Sequence, residues 1–247
     1  MNALLEVDRV SKAFGGVIAN RAVSLSVPAG SIVGLIGPNG SGKTTLFSSI
    51  VGLHPVDAGA IRFDGRDITT LRVGEIARLG LIRTFQQTRV YRAMSCLRNL
   101  QISAPLARPS IRSVFAPFSA EVTDRAETLL DFVGLYEKRQ LRAGSLSFGQ
   151  QKLLEFAMAL MNEPKMLLLD EPTAGINPTL INALLERLRR ANTQFGITLL
   201  VIEHNMRAIM RLAGHVYCLA HGELIAAGTP AEIQRDPQVL EAYLGGH

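Results

Sequence analysis

Residues 32–44 read IVGLIGPNGSGKT, and this stretch decides the fold. It opens on the apolar run Ile32–Ile36, which has the length and composition of a buried strand. The segment that follows matches the pattern G-x-x-x-x-G-K-[ST] at every fixed position, with the strand in front of it that the pattern requires. We therefore predict a strand, a phosphate-binding loop and a helix that begins near Lys43.

The chemistry of this loop follows from its residue types. Glycines let successive backbone N–H groups converge on a phosphate, and the N-terminus of the following helix adds positive potential. Lys43 is expected to reach the β and γ phosphates of a nucleotide, and the Thr44 hydroxyl to bind Mg²⁺. A glycine turn before an ordinary helix is the alternative, which the preceding strand disfavours. The predicted nucleotide ligands are Gly37, Pro38, Asn39, Gly40, Ser41, Gly42, Lys43, Thr44 and Thr45.

Two strand-then-helix units farther along the chain predict a parallel sheet with helices on its faces. The first is an apolar run at 166–169 with a helix from Pro178, and the second is a run at 198–202 with a helix from Asn205. Alternating apolar residues at 5–7 and 23–27 predict two half-buried strands, residues 57–65 a turn, strand and turn, and residues 216–227 a terminal hairpin. Residues from about 96 to 141 read as helices interrupted by prolines, typical of an inserted helical subdomain.

A carboxylate pair lies at the end of the predicted strand at 166–169. Phosphoryl transfer needs a second Mg²⁺ ligand and a group that positions water, and Asp170 and Glu171 are suited to these two roles. Asp170 would hold the ion and Glu171 would act as the general base. Helix-capping chemistry is the alternative for an isolated acidic pair, but it is disfavoured beside a phosphate loop. Kinases, GTPases, helicases and other NTPases all remain open at this point.

The segment LSFGQQ at 146–151 narrows the class. Ser147 and the backbone N–H of Gly149 precede a predicted helix that runs to about Leu160, which makes a second anion-binding helix start. One chain has no use for two such sites on one γ-phosphate unless the second serves a partner. A simple S-x-G-Q helix cap is the alternative.

With this segment the chain resembles the ATP-binding subunits of ABC transporters. Residues 146–151 are similar to the family signature, with Phe148 where glycine is most common. The resemblance implies an α/β fold: a phosphate-loop NTPase core with a mainly parallel sheet, an N-terminal antiparallel β subdomain and an inserted α-helical subdomain. It also implies that one subunit closes over the ATP held by the other through its signature residues, here Ser147, Phe148, Gly149 and Gln150.

The resemblance assigns further roles by position. Gln86 matches the glutamine that contacts Mg²⁺ and the attacking water, and His204 the histidine that bonds the γ-phosphate and orders Glu171. Phe14 matches the aromatic residue that stacks on adenine, with a core aromatic as the alternative. Asn177 stands where many members have Asp, but Asn followed by proline is equally typical of a helix N-cap.

Within the family, several stretches are similar to ATP-binding subunits of branched-chain amino-acid importers: RTFQ, LSFGQQ, AGINP, VIEHNM, GTPAEI and EAYLG. The resemblance implies ATP and Mg²⁺, a second ATP-binding subunit of the same or a related kind, transmembrane permease subunits and, indirectly, a solute-binding protein. It places the chain peripherally at the cytoplasmic face of the inner membrane. Urea, short amides and a lipid-linked glycan stay open as other cargoes, as does a soluble ABC ATPase of DNA repair or translation.

Composition bears on the partners. The net charge is +5, but no acidic residue occurs between Glu75 and Glu121, so the excess is local. This stretch is either a solvated face or one that meets phosphate groups or the membrane subunit. It lacks the regular interleaving of basic and aromatic residues expected of a single-strand-binding surface, so no nucleic-acid partner is expected. Its arginines are Arg78, Arg83, Arg89, Arg92, Arg98, Arg108 and Arg112. Neither a zinc site nor a disulfide is expected from Cys96 and Cys218, and neither a secretory leader nor a membrane span from any apolar run.

The predicted domain organisation is a single ABC ATPase domain over residues 1–247. Residues 1–92 and 146–247 would form the nucleotide-binding core with its β subdomain, and about 93–145 the helical subdomain.

Overall fold

The computed structural model describes residues 3–84, 90–105 and 118–244. Gln86, a predicted catalytic and Mg²⁺-binding residue, lies outside these ranges, as do Arg89, Arg108 and Arg112. The predictions that rest on those residues stay predictions.

The main sheet has the strand order β10-β9-β3-β8-β7-β6. Its strands β3, β6, β7, β8 and β9 run parallel, and β10 pairs antiparallel with β9. The strands are β3 (Ile32–Ile36), β6 (Leu81–Arg83), β7 (Met166–Asp170), β8 (Thr198–Ile202), β9 (His215–Ala220) and β10 (Glu223–Gly228). The predicted parallel sheet and terminal hairpin are confirmed, and the buried apolar strands β7 and β8 follow the rule that parallel sheets are covered on both faces.

The register of this sheet sets three strand ends level. Leu35 of β3 pairs with Ile202 of β8, and Ile202 in turn lies opposite Asp170 of β7. Loops that leave the carboxyl ends of neighbouring parallel strands meet at one edge, where ligands bind in open α/β sheets. The loops after β3, β7 and β8 carry the phosphate-loop residues, Glu171 and His204.

A second sheet has the order β2-β1-β4-β5 and is antiparallel. It consists of β1 (Ala3–Phe14), β2 (Val17–Pro28), β4 (Ala58–Phe63) and β5 (Arg66–Asp67). Leu5, Val7, Val23, Leu25 and Val27 are buried as the alternation predicts, because successive side chains of a strand point to opposite faces. The predicted N-terminal antiparallel β subdomain is confirmed.

The helices in the described residues are α1 (Lys43–Ile50), α2 (Val73–Arg78), α3 (Cys96–Ser103), α4 (Ala120–Phe132), α5 (Phe148–Leu160), α6 (Pro178–Phe195), α7 (Met206–Leu212), α8 (Pro230–Ile233) and α9 (Pro237–Leu244). Helix α1 begins at Lys43 as predicted, and Asn205 is the N-cap of α7, one residue before its first turn. In the described part of the chain, no helix combines the length and apolar composition needed to cross a bilayer.

The chain divides into two compact units. The first comprises Met1–Arg83, Lys165–Ala174 and Leu188–His247, and it holds both sheets. One cluster of buried apolar side chains in this unit comes from the two sheets and α1 and includes Phe47 and Phe63. The second comprises Thr84–Pro164 and Gly175–Arg187 and is built on α3, α4 and α5, which pack on one another.

Candidate functional site

The phosphate loop adopts a shape that only glycine allows at two of its positions. Gly37 has φ of 147° and Gly42 has φ of 98°, both in the region that L side chains avoid. A Cβ atom at Gly37 would collide with the carbonyl oxygen of Leu219, and one at Gly42 with that of Ala19. The loop is therefore pressed between neighbouring backbones, and glycine is needed there for space as well as for conformation.

The Lys43 side chain is buried against its own loop. Its Nζ donates to the carbonyl oxygens of Gly37 (2.9 Å) and Pro38 (2.8 Å) and to Ser41 Oγ (3.1 Å). Burial lowers the pKa of Lys43, while the negative charges of Glu171 and Asp170 oppose that shift. The ammonium group thus bonds oxygen atoms of its own loop and lies in the field of both carboxylates. Phosphate oxygens of a nucleotide are suited to replace those loop oxygens as its partners.

Asp170 is buried and paired with an arginine that sequence reasoning misassigned. Arg83 Nη2 donates to Asp170 Oδ2 at 2.6 Å, and Arg83 Nη1 donates to Ser48 Oγ of α1 at 2.9 Å. The Arg83 guanidinium also lies 5.9 Å from the ring centroid of Phe47. With 9% of its side chain exposed, Arg83 does not belong to the exposed basic stretch with which it was grouped.

Glu171 follows β7 in a conformation unusual for its residue type. Its φ is 49°, in the left-handed region that costs a non-glycine residue of order 1–3 kcal/mol. The Glu171 N–H donates to the carbonyl of Ile202 (3.0 Å), which fixes the turn. Its Oε1 lies 2.5 Å from His204 Nε2, so the predicted base and the predicted histidine are in contact.

Glu203 was missed by sequence reasoning. It is buried, and its Oε1 accepts the N–H of Thr173 (2.7 Å) while Oε2 accepts the N–H of Asn205 (3.2 Å). One carboxylate therefore ties the loop that carries Glu171 to the loop that carries His204. An acidic residue directly after the buried strand β8 was the available signal.

Phe14 ends β1 with 46% of its surface exposed, so it is not a core aromatic. The ring packs edge-on against His54, with centroids 5.2 Å apart, and Lys12 Nζ lies 5.4 Å from its centroid. Lys12 itself donates to Asp57 Oδ1 at 2.8 Å. An exposed π-face held in place by these neighbours is available to stack on a base.

The predicted signature residues open α5 in the second unit. Ser147 is the N-cap: its Oγ accepts the N–H of Gln150, and Gln150 Oε1 accepts the N–H of Ser147. Phe148 is 47% exposed. A Cβ at Gly149 would lie 2.6 Å from Leu180 Cδ1, so glycine there permits close packing of α5 on α6.

Asn177 caps helix α6, which is the alternative role that its position before a proline predicted. Its Oδ1 accepts the N–H of Leu180 at 2.9 Å at the start of α6.

The acidic and hydroxyl groups fit a Mg²⁺ ion that is held jointly with phosphate. Asp170 Oδ1 is buried and has no hydrogen-bond partner, while Thr44 is exposed at the start of α1. Across the described ranges, three or more His, Cys, Asp or Glu side chains never gather closely enough to hold a metal alone. Mg²⁺ bound through one or two protein ligands plus nucleotide phosphates needs no such cluster.

The fold and this site together define a phosphate-loop NTPase. A family model described as ABC transporter matches residues 20–174, and one described as branched-chain amino acid ATP-binding cassette transporter matches residues 223–247. The chain therefore belongs to the ABC transporter family and is one of its ATPase subunits.

Curated relatives match over nearly the whole chain. The high-affinity branched-chain amino acid transport ATP-binding protein BraF of Pseudomonas aeruginosa is 36% identical, over 98% of both chains. LivG of Salmonella typhimurium, another high-affinity branched-chain amino acid transport ATP-binding protein, is 37% identical over the same shares. The chain is thus homologous to ATP-binding proteins of branched-chain amino-acid transport.

Solved structures agree with the fold. The ADP conformation of an ATP-binding cassette of an ABC transporter has a TM-score of 0.89 and 35% identity, covering 99% of this chain and 100% of that one. A nucleotide-free cassette has a TM-score of 0.88 and 34% identity, with the same coverage. The ABC ATPase fold predicted from the sequence is confirmed.

Proposed function

We propose that this chain binds and hydrolyses MgATP as one half of a paired motor, and that closure of the pair drives import of branched-chain amino acids through membrane subunits. The observation that carries the proposal is the meeting of Lys43, Asp170, Glu171 and His204 at the carboxyl ends of β3, β7 and β8. Phosphoryl transfer to water requires three kinds of group: a positive charge for the phosphate oxygens, a buried carboxylate, and a carboxylate held by a histidine.

Each side chain has a proposed task. Lys43, with the N–H groups of the loop residues 37–45, neutralises the β and γ phosphates, while Phe14 stacks on adenine. Glu171 accepts a proton from the attacking water, and His204, whose Nε2 lies 2.5 Å from Glu171 Oε1, holds that carboxylate in place. Gln86 is proposed to contact the same water.

Thr44, Asp170 and Gln86 are the proposed ligands of Mg²⁺. When bound, the ion neutralises charge that develops on the β and γ phosphate oxygens. Asp170 is ready for this role because Arg83 occupies only its Oδ2 and leaves the buried Oδ1 free.

A second ATP-binding subunit is proposed to complete the site. The start of α5, with Ser147, Phe148, Gly149 and Gln150, offers backbone N–H groups and the positive end of a helix to an anion. In the proposed pair it faces the γ-phosphate held by the other subunit.

A surface of the second unit is proposed to receive the membrane subunit. Tyr91, Met94 and Leu141 are exposed, and the Ser95–Arg142 bridge holds the two segments that carry them side by side. Exposed arginines at 92 and 98 flank them. Apolar side chains rimmed by one sign of charge suit a protein partner close to an anionic leaflet.

The first experiment measures ATP-dependent pairing of the Glu171→Gln variant by size-exclusion chromatography with light scattering. Removing the base should leave ATP binding intact and trap the closed pair, so we expect a dimer with MgATP and a monomer without nucleotide. Glu186→Gln, an exposed change on α6, is the matched control: it should hydrolyse ATP normally, so that the pair reopens and no dimer is trapped. If the variant binds ATP but stays monomeric, the proposed partner becomes a related subunit and not a second copy of this chain. Absence of ATP binding would refute the proposal.

The cargo is proposed from the relatives, whose names specify branched-chain amino acids. Reconstitution in liposomes with candidate membrane subunits and a solute-binding protein tests this directly. Leucine-stimulated ATP hydrolysis is the expected result, and stimulation by urea or a lipid-linked glycan instead would change the cargo while leaving the ATPase assignment intact.

A further inference from the structure

The C-terminal helix contacts the phosphate loop through one side chain that no predicted role accounts for. Tyr243, on α9, accepts the Gly37 N–H through its hydroxyl oxygen at 2.8 Å. Its ring is partly exposed while its hydroxyl lies against the loop. A residue more than two hundred positions from the loop in sequence thus binds the loop's first glycine.

Gly37 is a junction in the loop. Its N–H binds Tyr243, and its carbonyl oxygen accepts Lys43 Nζ at 2.9 Å. Its φ of 147° lies in a region that residues other than glycine avoid, and the carbonyl oxygen of Leu219 occupies the position that a Cβ atom would take. The orientation of this one residue therefore influences both the entry of the loop and the resting place of the Lys43 ammonium.

Two other contacts hold the loop farther on. Asn20 Nδ2 donates to the carbonyl of Gly42 at 3.2 Å, and the N–H of Gly222 donates to the carbonyl of Ser41 at 3.1 Å. Both act at the helix end, whereas Tyr243 acts at the strand end. Burial raises the pKa of Tyr243 to about 12, so the hydroxyl stays protonated and neutral at physiological pH.

We infer that Tyr243 is a positioning residue for nucleotide binding, which fixes Gly37 so that the phosphate loop is preformed before ATP arrives. The inference rests on the proposed ATP-binding function and adds to it a role for the C-terminal helix. A loop that populates its competent shape only part of the time binds ligand more weakly in proportion. Loss of the hydrogen bond between Tyr243 and Gly37, called the tether below, should therefore raise the dissociation constant for ATP and leave the rate of hydrolysis unchanged.

The test compares Tyr243→Phe with Tyr217→Phe. Tyr217 is the matched control because its hydroxyl also bonds backbone, to the N–H (3.2 Å) and carbonyl (3.0 Å) of Ser26, away from the loop. We expect Tyr243→Phe to raise the dissociation constant and KM for ATP about three- to tenfold with kcat within about twofold, which is the effect of one hydrogen bond. Tyr217→Phe should leave both within about twofold of wild type.

Amide hydrogen exchange at Gly37, followed by NMR without nucleotide, gives an independent readout. Tyr243→Phe should accelerate exchange at Gly37 and its neighbours alone, since the tether is local. Equal ATP affinity and equal Gly37 exchange in wild type and Tyr243→Phe would overturn the inference, as would the same loss of affinity in Tyr217→Phe. Failure of the wild-type chain to bind ATP would refute the proposed function instead, and the exchange experiment would still decide whether Tyr243 orders the loop.

Discussion

Arg83 Nη2 and Asp170 Oδ2 lie 2.6 Å apart in the interior of the first unit, with 9% and 1% of their side chains exposed. The same guanidinium reaches Ser48 of α1, so it links the helix of the phosphate loop to the strand that carries Asp170. A buried ion pair of this kind is costly to break from one side, because the remaining charge cannot regain its hydration.

Replacing Arg83 by Met is therefore expected to lower the free energy of unfolding by about 3–5 kcal/mol, because the Asp170 carboxylate is left buried and unpaired. Chemical denaturation measures the change. The control is Lys165→Met, which removes an ion pair with Asp64 whose partners are both 55% exposed and should cost less than about 1 kcal/mol.

A double variant completes the cycle. The double variant Arg83→Met/Asp170→Asn should lose less free energy of unfolding than the two single variants lose together, because it retains no unpaired charge. Equal losses in Arg83→Met and Lys165→Met would show that the buried pair contributes no more than an exposed one.

His204→Ala is expected to slow ATP hydrolysis through loss of its contact with Glu171. Misplacing a catalytic group by about 1 Å costs on the order of 100-fold, so kcat should fall about 10- to 100-fold while ATP affinity changes by less than about fivefold. Steady-state hydrolysis and equilibrium binding measure the two quantities.

The control for His204 is His221→Asn. His221 is exposed and has φ of 51°, a conformation that Asn tolerates well. Unchanged kcat in His204→Ala would remove His204 from the proposed mechanism.

Phe14→Ala should weaken ATP binding without destabilising the fold. Stacking of a base on an aromatic side chain is worth about 1–3 kcal/mol, which corresponds to about 5- to 150-fold in affinity. Because the Phe14 side chain is half exposed, we expect the free energy of unfolding to change by less than about 1 kcal/mol.

Phe14→Trp should restore binding, since it keeps a π-face, and Val17→Ala in the same hairpin should leave binding unchanged. ATP affinity that is insensitive to Phe14→Ala would show that the base lies elsewhere.

Charge reversal at Arg92 and Arg98 should weaken assembly with the membrane subunits. We expect the concentration for half-maximal binding to nanodisc-embedded permease to rise about tenfold, with a steep salt dependence, because rim charges act mainly through the association rate. Reversal of the exposed Arg189 and Arg235 changes the net charge equally and serves as the control. Equal effects of the two double variants would assign the loss to net charge alone.

Alkaline pH should destabilise the fold in a window set by the Cys218 thiol and the Tyr243 hydroxyl. Burial raises the pKa of Cys218 to about 11 and that of Tyr243 to about 12, from reference values of 9.0 and 10.0. The folded chain then keeps protons that the unfolded chain loses, so the free energy of unfolding falls as the pH rises from about 9 to about 12.

Denaturant unfolding at a series of pH values measures this slope. Tyr243→Phe should flatten the part between pH 10 and 12, and Cys218→Ala the part between pH 9 and 11. A slope unaltered by both changes would contradict the assignment of the pH dependence to Cys218 and Tyr243.

The sequence established those features that depend on local pattern. The apolar run before a glycine-rich loop, the strand-then-helix units and the acidic pair after a buried run gave the parallel sheet, the phosphate loop and the roles proposed for Lys43, Asp170 and Glu171. Helix N-caps could also be predicted from the sequence, because the capping side chain lies within three residues of the group that it binds, as Ser147 and Asn177 show.

Only the tertiary structure revealed the contacts between residues far apart in sequence. Arg83 reads as one more arginine of a basic stretch until β6 is placed beside β7 and its guanidinium meets Asp170. The contacts of Glu203 with Thr173 and of Tyr243 with Gly37 likewise join residues 30 and 206 positions apart, which no local pattern relates. The sequence determined which chemical groups this ATPase possesses; strand order and register, which follow from packing of the whole core, decided which of them touch.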